Sequence, residues 1–333
     1  MKIPITQSKA WGALQDDLGK VSYREEGSGY QYLAILTESK LAKYLYLPYG
    51  PVTKDRKGFE NALKSLKNLA KKCDITFIRV EPQNPAATRY FPQNTIKSHD
   101  LNPKETWVLD LSGTDDDLKQ KLPSRLLRYY KSAAKNGITI ETSKNPEDIK
   151  YLTDLQNAFA KQKGINTFSE KYLRTELSQS FATLYIVRHQ EVVNTDGWPS
   201  LGDPQPSLSE DRRKCKDRTR QEVIAAGLVF DDKTTRYNLQ GAQNDLGRKL
   251  HATGILTIQL ILDAKAKNLK TFDFWGIAPE GAPKNHPWAG FTNFKKTFAG
   301  HEVQYAGTYD IVLKPARYRL YSLLRKLNRL IRK

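Results

Sequence analysis

Phe59, Leu63, Leu66 and Leu69 recur at spacings of four and three within Gly58 to Lys72, and the mainly apolar run Ile75 to Val80 follows at once. A period near 3.6 marks one face of a helix, and a run of six fits a strand. The same alternation recurs along the chain. Ser8 to Leu18 reads as a first helix, and Tyr30 to Leu36 and Lys43 to Leu47 as strands before the turn Pro48-Tyr49-Gly50-Pro51. From Leu101 a second unit begins, with strands at Thr106 to Leu111, Ile138 to Thr142, Phe181 to Arg188, Val223 to Phe230 and Thr235 to Leu239. Its helices are expected over 117–136, Pro146 to Lys163, Ser169 to Ser180 and Leu250 to Lys267. Strands interleaved with helices predict an α/β (α+β) chain of mixed sheets flanked by helices. Residues 189–222 carry three prolines and the charged run Asp211 to Arg218, and read as a flexible insertion between two strands.

A chain of 333 residues suits two ordinary domains, and 39% hydrophobic residues support packed cores. The balance of 54 Lys and Arg against 36 Asp and Glu leaves +18. That excess predicts an anionic partner: nucleic acid, an anionic membrane surface or a phosphorylated substrate. Cys73 and Cys215 form no C-x-x-C, so neither a zinc knuckle nor a disulfide framework is expected, and a reducing, cytoplasmic setting is. The N-terminus lacks an apolar signal segment, and the longest apolar stretch, Gly254 to Ala264, is too short and polar to span a bilayer.

Candidate chemistry concentrates between Thr271 and Gly307. Phe272, Phe274 and Ile277 mark a short buried strand that Asp273 and Trp275 interrupt. A loop with three prolines and His286 follows, then Phe291, Phe294, Lys295, Lys296 and Phe298, closed by Gly300. A lysine among phenylalanines either snorkels from an aromatic patch or sits in a site that handles negative charge. Arg125, Arg128, Lys131 and Lys135 lie three, three and four apart and form one stripe on the 117–136 helix. The stripe is either a solvated face or a contact for a phosphate backbone. Lys314 to Lys333 holds eight basic residues and no acid, with Leu320, Leu323, Leu324, Leu327, Leu330 and Ile331 on one face. This basic amphipathic helix either packs on the first unit or docks on an anionic membrane.

Several segments, taken in order, resemble the FemABX family of non-ribosomal aminoacyltransferases. They are Tyr46-Leu47-Pro48-Tyr49-Gly50-Pro51-Val52; Trp107-Val108-Leu109-Asp110-Leu111-Ser112 with its basic helix and Gly137; Lys163-Gly164-Ile165; Phe272-Asp273-Phe274-Trp275-Gly276-Ile277; and Phe294-Lys295-Lys296-Thr297-Phe298-Ala299-Gly300. The resemblance implies two GNAT-like (N-acetyltransferase-type) domains. One would span 1–100, completed by 310–333, and the other 101–309. It implies transfer of an amino acid from aminoacyl-tRNA to the side-chain amine of a peptidoglycan-precursor stem peptide, carried by a UDP-MurNAc-peptide or a lipid-linked precursor. No metal and no cofactor are implied, and a peripheral membrane contact through 314–333 is compatible with it.

Residue by residue, the resemblance implies catalytic roles for Lys295 and for Glu81 in Arg79-Val80-Glu81-Pro82. Substrate contacts are implied for Phe294, Asn166, Phe168, Tyr172, Tyr237 and Leu239, and tRNA contacts for Arg125, Arg128, Lys131, Lys135 and Lys296. The chain departs from the family pattern in three places. Phe168 stands where the family can carry a phosphate-binding arginine, Leu239 stands where a tyrosine is usual, and no lysine follows Trp11. Two competing functions are an acyl-CoA N-acyltransferase and a protein with an altered site that binds RNA or membrane. The first needs a glycine-rich pyrophosphate loop, and Gln240 to Lys249 lacks its spacing.

Overall fold

The computed structural model describes residues 1–164, 166–193 and 218–331. Strands β1 (Ser22–Gly27), β2 (Tyr30–Glu38), β3 (Lys43–Leu47), β4 (Val52–Thr53), β5 (Phe77–Val80) and β6 (Thr95–Lys97) belong to a first sheet. Strands β7 (Glu105–Asp110), β8 (Ile138–Ser143), β9 (Ala182–Val193), β10 (Arg218–Asp231), β11 (Thr235–Gln243), β12 (Thr271–Gly276) and β13 (His301–Gln304) form a second. Strand β14 (Tyr309–Val312) then returns to the first sheet, whose order is β1-β2-β3-β5-β14-β6 with β4 beside β2. The second runs β13-β7-β12-β11-β10-β9-β8. Both sheets are mixed: β3 is parallel to β5 and β11 to β12, and the other pairs are antiparallel.

Helices α1 (Lys9–Asp17) and α2 (Arg56–Lys72) precede the second sheet, and α3 (Asp115–Lys121), α4 (Ser124–Ser132), α5 (Lys150–Lys163), α6 (Glu170–Leu177), α7 (Asp245–Lys249), α8 (Ala252–Ala266) and α9 (Ala289–Lys296) lie within its segment. Helix α10 (Pro315–Ile331) follows β14. The expected α/β class, with mixed sheets flanked by helices, is the one found. Most of the periodic face of α2 is buried: Ala62, Leu66 and Ala70 pack with Tyr32, Leu45, Ile78 and Ile311, Phe59 is buried beside Tyr90 and Phe91, and Leu63 and Leu69 are half-buried at the margin.

Two expectations need correcting, and two findings add to them. The single helix over 117–136 is two helices, because Pro123 cannot donate a helical hydrogen bond and holds Leu122 extended. Lys135 therefore lies beyond α4, in a 3-10 turn. The insertion is shorter than 189–222, since β9 runs to Val193 and β10 starts at Arg218, paired throughout. What remains, 194–217, lies outside the described residues. Strands β1, β6 and β13 and helix α9 carry too few apolar residues, and β14 is too short, to stand out by period. Lastly, α10 packs on the first sheet through Tyr318 and Tyr321, against Phe77, Val312 and Ala42, and leaves Leu320, Leu323 and Leu327 exposed.

The second sheet is covered on both faces. Leu109, Ile224, Val229, Phe272 and Phe274 face α8 and Phe298. Ala226, Leu228, Phe230 and Tyr237 face the other way, where Leu152, Leu155, Leu173 and Leu177 meet Ile5, Trp11, Leu14 and Leu33. This second cluster joins the N-terminal segment to the second sheet through apolar burial, the dominant favourable term in such association.

Candidate active site

Along β12 successive side chains point to opposite faces. Phe272 and Phe274 go into the core under α8, and Asp273 and Trp275 fall on the other face. The two residues that interrupt the apolar run are thus the half that faces away from α8. Pairing of β12 with β7 shifts register between Asp273 and Gly276, and Trp275 there has φ +65°. A bulky residue in the left-handed region is a strained conformation that surrounding structure must impose. Here Asp273 imposes it in part. Its carboxylate accepts the Trp275 backbone N–H at 2.8 Å and a short bond from the Thr106 hydroxyl.

The distorted strand end aims the Gly276 carbonyl at α9, where it accepts from Lys295 Nζ at 2.6 Å. A Cβ at Gly276 would lie 2.6 Å from Pro103 Cγ, so only glycine brings the backbone this close. Burial pushes the Lys295 ammonium down to about 8, and the nearby Asp273 carboxylate opposes that shift. Asp273 is itself raised by burial, an effect its hydrogen bonds and Lys295 offset in part. The site is thus a half-buried cation with one backbone acceptor, beside a buried carboxyl. The Lys295 ammonium thus ends on a backbone acceptor and not in open solvent.

Aromatic side chains surround the pair. Tyr49 meets Trp275 edge-on at 5.6 Å and Tyr305 at 4.9 Å, and Tyr237 meets Trp275 at 6.1 Å. The Tyr49 hydroxyl donates to the Pro103 carbonyl at 2.9 Å and the Tyr237 hydroxyl to Asp232 at 2.8 Å. Burial raises both phenols, which remain neutral donors. Tyr49 comes from the turn after β3 and Tyr305 from the segment after β13, so both parts of the chain supply this wall.

Of the residues singled out by sequence, Lys295 and Tyr237 belong to this cluster. Phe294 turns instead into the core, edge-on to Phe298 at 5.6 Å. Glu81 is buried, and among the described residues no arginine bonds it, since the neighbouring Arg79 binds Asp310. Its oxygens accept from Tyr46 at 2.7 Å, Asn102 at 2.8 Å and Thr308 at 2.6 Å, with two longer backbone bonds. Through these bonds Glu81 ties three segments together.

Phe168 is exposed and stacks on Tyr172 at 5.1 Å, and Asn166 is exposed just before it. Tyr172 hydrogen-bonds Glu176, and Leu239 is half-buried at the edge of the same cluster. Arg125, Arg128, Lys131 and Lys135 are exposed. Arg125 bonds the Tyr129 hydroxyl at 2.9 Å. Helix α4 packs on α8, on the face that carries Phe272 and Phe274. Among the described residues no hydrogen bond, ion pair or ring contact joins this stripe to Lys295. Lys296 is nearer, over the Trp107 ring at 5.5 Å and 3.9 Å from Glu302.

Sequence reasoning missed Tyr49, Tyr305 and the Gly276 carbonyl. Asp273 carried a signal, a carboxylate inside an apolar strand. Tyr305 carried none. Over Gln240 to Lys249 the chain finishes β11 and enters α7 with Asn244 as its cap, so no glycine-rich anion loop forms there.

Comparison with known proteins bears on this site. Residues 205–326 match the model of the FemAB family. The fold is similar to the crystal structure of FemX, with a TM-score of 0.76 and 15% identity over 95% of this chain and 94% of that one. It is also similar to the C-terminal (DUF2156) domain of a putative lysylphosphatidylglycerol synthetase from Agrobacterium fabrum (TM-score 0.58, 16% identity, 95% and 91% covered). L-PGS from Bacillus licheniformis gives 0.55, at 12% identity over 99% of both chains. At these identities the likeness is one of fold. No curated protein matches the sequence.

Proposed function

We propose, from the match of residues 205–326 to the FemAB family and the FemX-like fold, that this chain is an aminoacyltransferase of that family that moves an amino acid from aminoacyl-tRNA to the side-chain amine of a peptidoglycan-precursor stem peptide. The observation that carries this reading is the half-buried Lys295, held by the Gly276 carbonyl beside Asp273. In the reaction the acceptor amine nitrogen attacks the ester carbonyl carbon, and the carbonyl oxygen becomes an oxyanion. Collapse breaks the bond to the ribose oxygen, which takes up the proton the amine gives up, leaving an amide and a free tRNA hydroxyl. A fixed cation beside the oxyanion or the departing ribose oxygen lowers the barrier, the more so where water is thinned. Lys295 has two ammonium protons left after bonding Gly276, and supplies that cation. The aromatic wall of Tyr49, Trp275, Tyr305 and Tyr237 shapes the space beside it.

Within this reading the two sheets are two domains, 1–100 with 310–333 and 101–309. The chain's positive charge suits a tRNA donor, with Arg125, Arg128, Lys131, Lys135 and Lys296 as backbone contacts. Tyr172, Phe168, Asn166 and Leu239 serve the precursor, as a soluble UDP-MurNAc-peptide or its lipid-linked form. Glu81 orients the cleft by holding Asn102 and Thr308. A charged-tRNA donor places the reaction in the cytoplasm. The test is incubation with charged tRNA and purified precursor, followed by mass spectrometry of the stem peptide, with phosphatidylglycerol as a control acceptor. A mass gain of one or more amino-acid residues supports the reading. No gain with any aminoacyl-tRNA rejects it.

A further inference from the structure

Helix α10 presents two opposed faces. With about 100° per residue, Tyr318, Tyr321 and Arg325 share one side and Leu320, Leu323 and Leu327 the other. Tyr318 and Tyr321 are buried and meet Phe77 at 5.2 and 5.1 Å, and Arg325 reaches His99. The leucines point away from the protein and are 57%, 57% and 46% exposed. Ala316, one turn before Leu320, is exposed on the same side. Lone exposed leucines are ordinary, but a row of three on successive turns is a patch with something to cover it.

The charge beside the row selects what covers it. Arg319 and Lys326 are exposed along one border, and Arg317 on the other reaches Asp74. The helix contains no acidic residue, and the whole chain carries +18. We infer that this face of α10 docks on an anionic lipid surface, with Leu320, Leu323 and Leu327 entering the interface and Arg319 and Lys326 meeting the head groups. An apolar stripe bordered by basic side chains is what such a surface binds. A second copy would set this basic border against its like and is disfavoured by charge. The tyrosine face keeps the helix on the first sheet, so the contact lies flat against the bilayer. Among the described residues no helix is long and apolar enough to cross a membrane.

The test uses the full chain with sedimenting vesicles, either phosphatidylglycerol and phosphatidylcholine in equal parts or phosphatidylcholine alone. The wild type binds the anionic vesicles, and Leu320→Ser/Leu323→Ser/Leu327→Ser loses binding about tenfold or more, with its melting curve little changed because these side chains lie outside the buried core. Arg319→Glu/Lys326→Glu weakens binding to the anionic vesicles alone. Equal binding to both vesicle types, or full binding by the triple serine variant, overturns the inference. So does a wild-type dimer in light scattering that the triple variant dissolves without any vesicle binding, which assigns the face to a second copy. None of these readouts depends on transferase activity.

Discussion

Arg79 on β5 grips Asp310 on β14 with two bonds, Nε at 2.7 Å and Nη2 at 2.8 Å, between side chains 231 residues apart in sequence. Both are almost fully buried, and Tyr318 of α10 adds a bond to Asp310 at 2.9 Å. Burial alone would lower the guanidinium, but Asp310 overrides it and raises it. Removing one partner leaves the other charge buried and unpaired. Asp310→Ala is expected to cost about 3–5 kcal/mol, read as a shift in the denaturant midpoint. A loss below about 1 kcal/mol would mean that the pair is solvated.

On the proposed function, Lys295 gives activity a dependence on pH. Its ammonium titrates near 8, because burial disfavours charge. Transfer is expected to fall as pH rises above about 8, while Lys295→Arg, charged to far higher pH, carries no such fall whatever its absolute rate. Lys295→Ala should lower kcat by about 10²–10³. The same depression predicts that the fold gains stability as pH rises from about 8 toward the ordinary lysine value, since in that window the unfolded chain binds more protons. A flat rate profile to pH 10 would remove the cation from the mechanism.

Glu176 titrates in the opposite sense. It is buried on α6, its Oε2 finds no hydrogen-bond partner among the described residues, and burial raises it from 4.5 to about 7, against a smaller pull from Tyr172. The folded chain holds the proton between those values and the unfolded chain releases it. Stability is therefore fullest below pH 4.5 for this group and declines until about 7. Glu176→Gln, which keeps the shape without the charge, should stabilise the protein at pH 8 by on the order of 3 kcal/mol and flatten that slope. Thermal melts at pH 5 and pH 8 measure both.

The two faces of α10 should respond differently to truncation. Tyr321→Ala opens a hole against Phe77 and is expected to cost about 3–5 kcal/mol. Leu320→Ala, on the outward face, should stay within about 0.5 kcal/mol. Equal costs would place the leucines against protein.

Gly276→Ala pushes a methyl into Pro103 and shifts the carbonyl that holds Lys295. Its expected signature is a lower kcat with little change in KM for tRNA, about tenfold or more for a misplacement near 1 Å. Steady-state kinetics decides it, and an unchanged kcat would detach Gly276 from the positioning of Lys295.

Periodicity carried the fold class and the stronger elements. The apolar face of α2, the buried helix α8 and the strands β2, β3, β10 and β12 were legible, because long apolar patterns leave few ways to bury them. Helix α4 was misjudged at Pro123, where one ring outweighs a continuous stripe. Strand β14 was illegible. Its four residues acquire strand character only between β5 and β6, with Asp310 paired to an arginine far away in sequence.

Lys295 among phenylalanines was visible in the sequence, and so was the anomaly of Asp273 in an apolar strand. Both are local features, decided by side-chain chemistry at short range. That Asp273 lies beside Lys295, that Trp275 turns left-handed to present the Gly276 carbonyl, and that Tyr49 and Tyr305 complete the wall, were decided by tertiary structure alone. The same holds for α10, whose amphipathic pattern is plain in sequence. Which face meets the protein depended on Phe77 offering a partner to two tyrosines. Periodicity says that a helix has an apolar side. Contacts between distant segments decide which side is already taken, because burial free energy belongs to the pair of surfaces and not to either one.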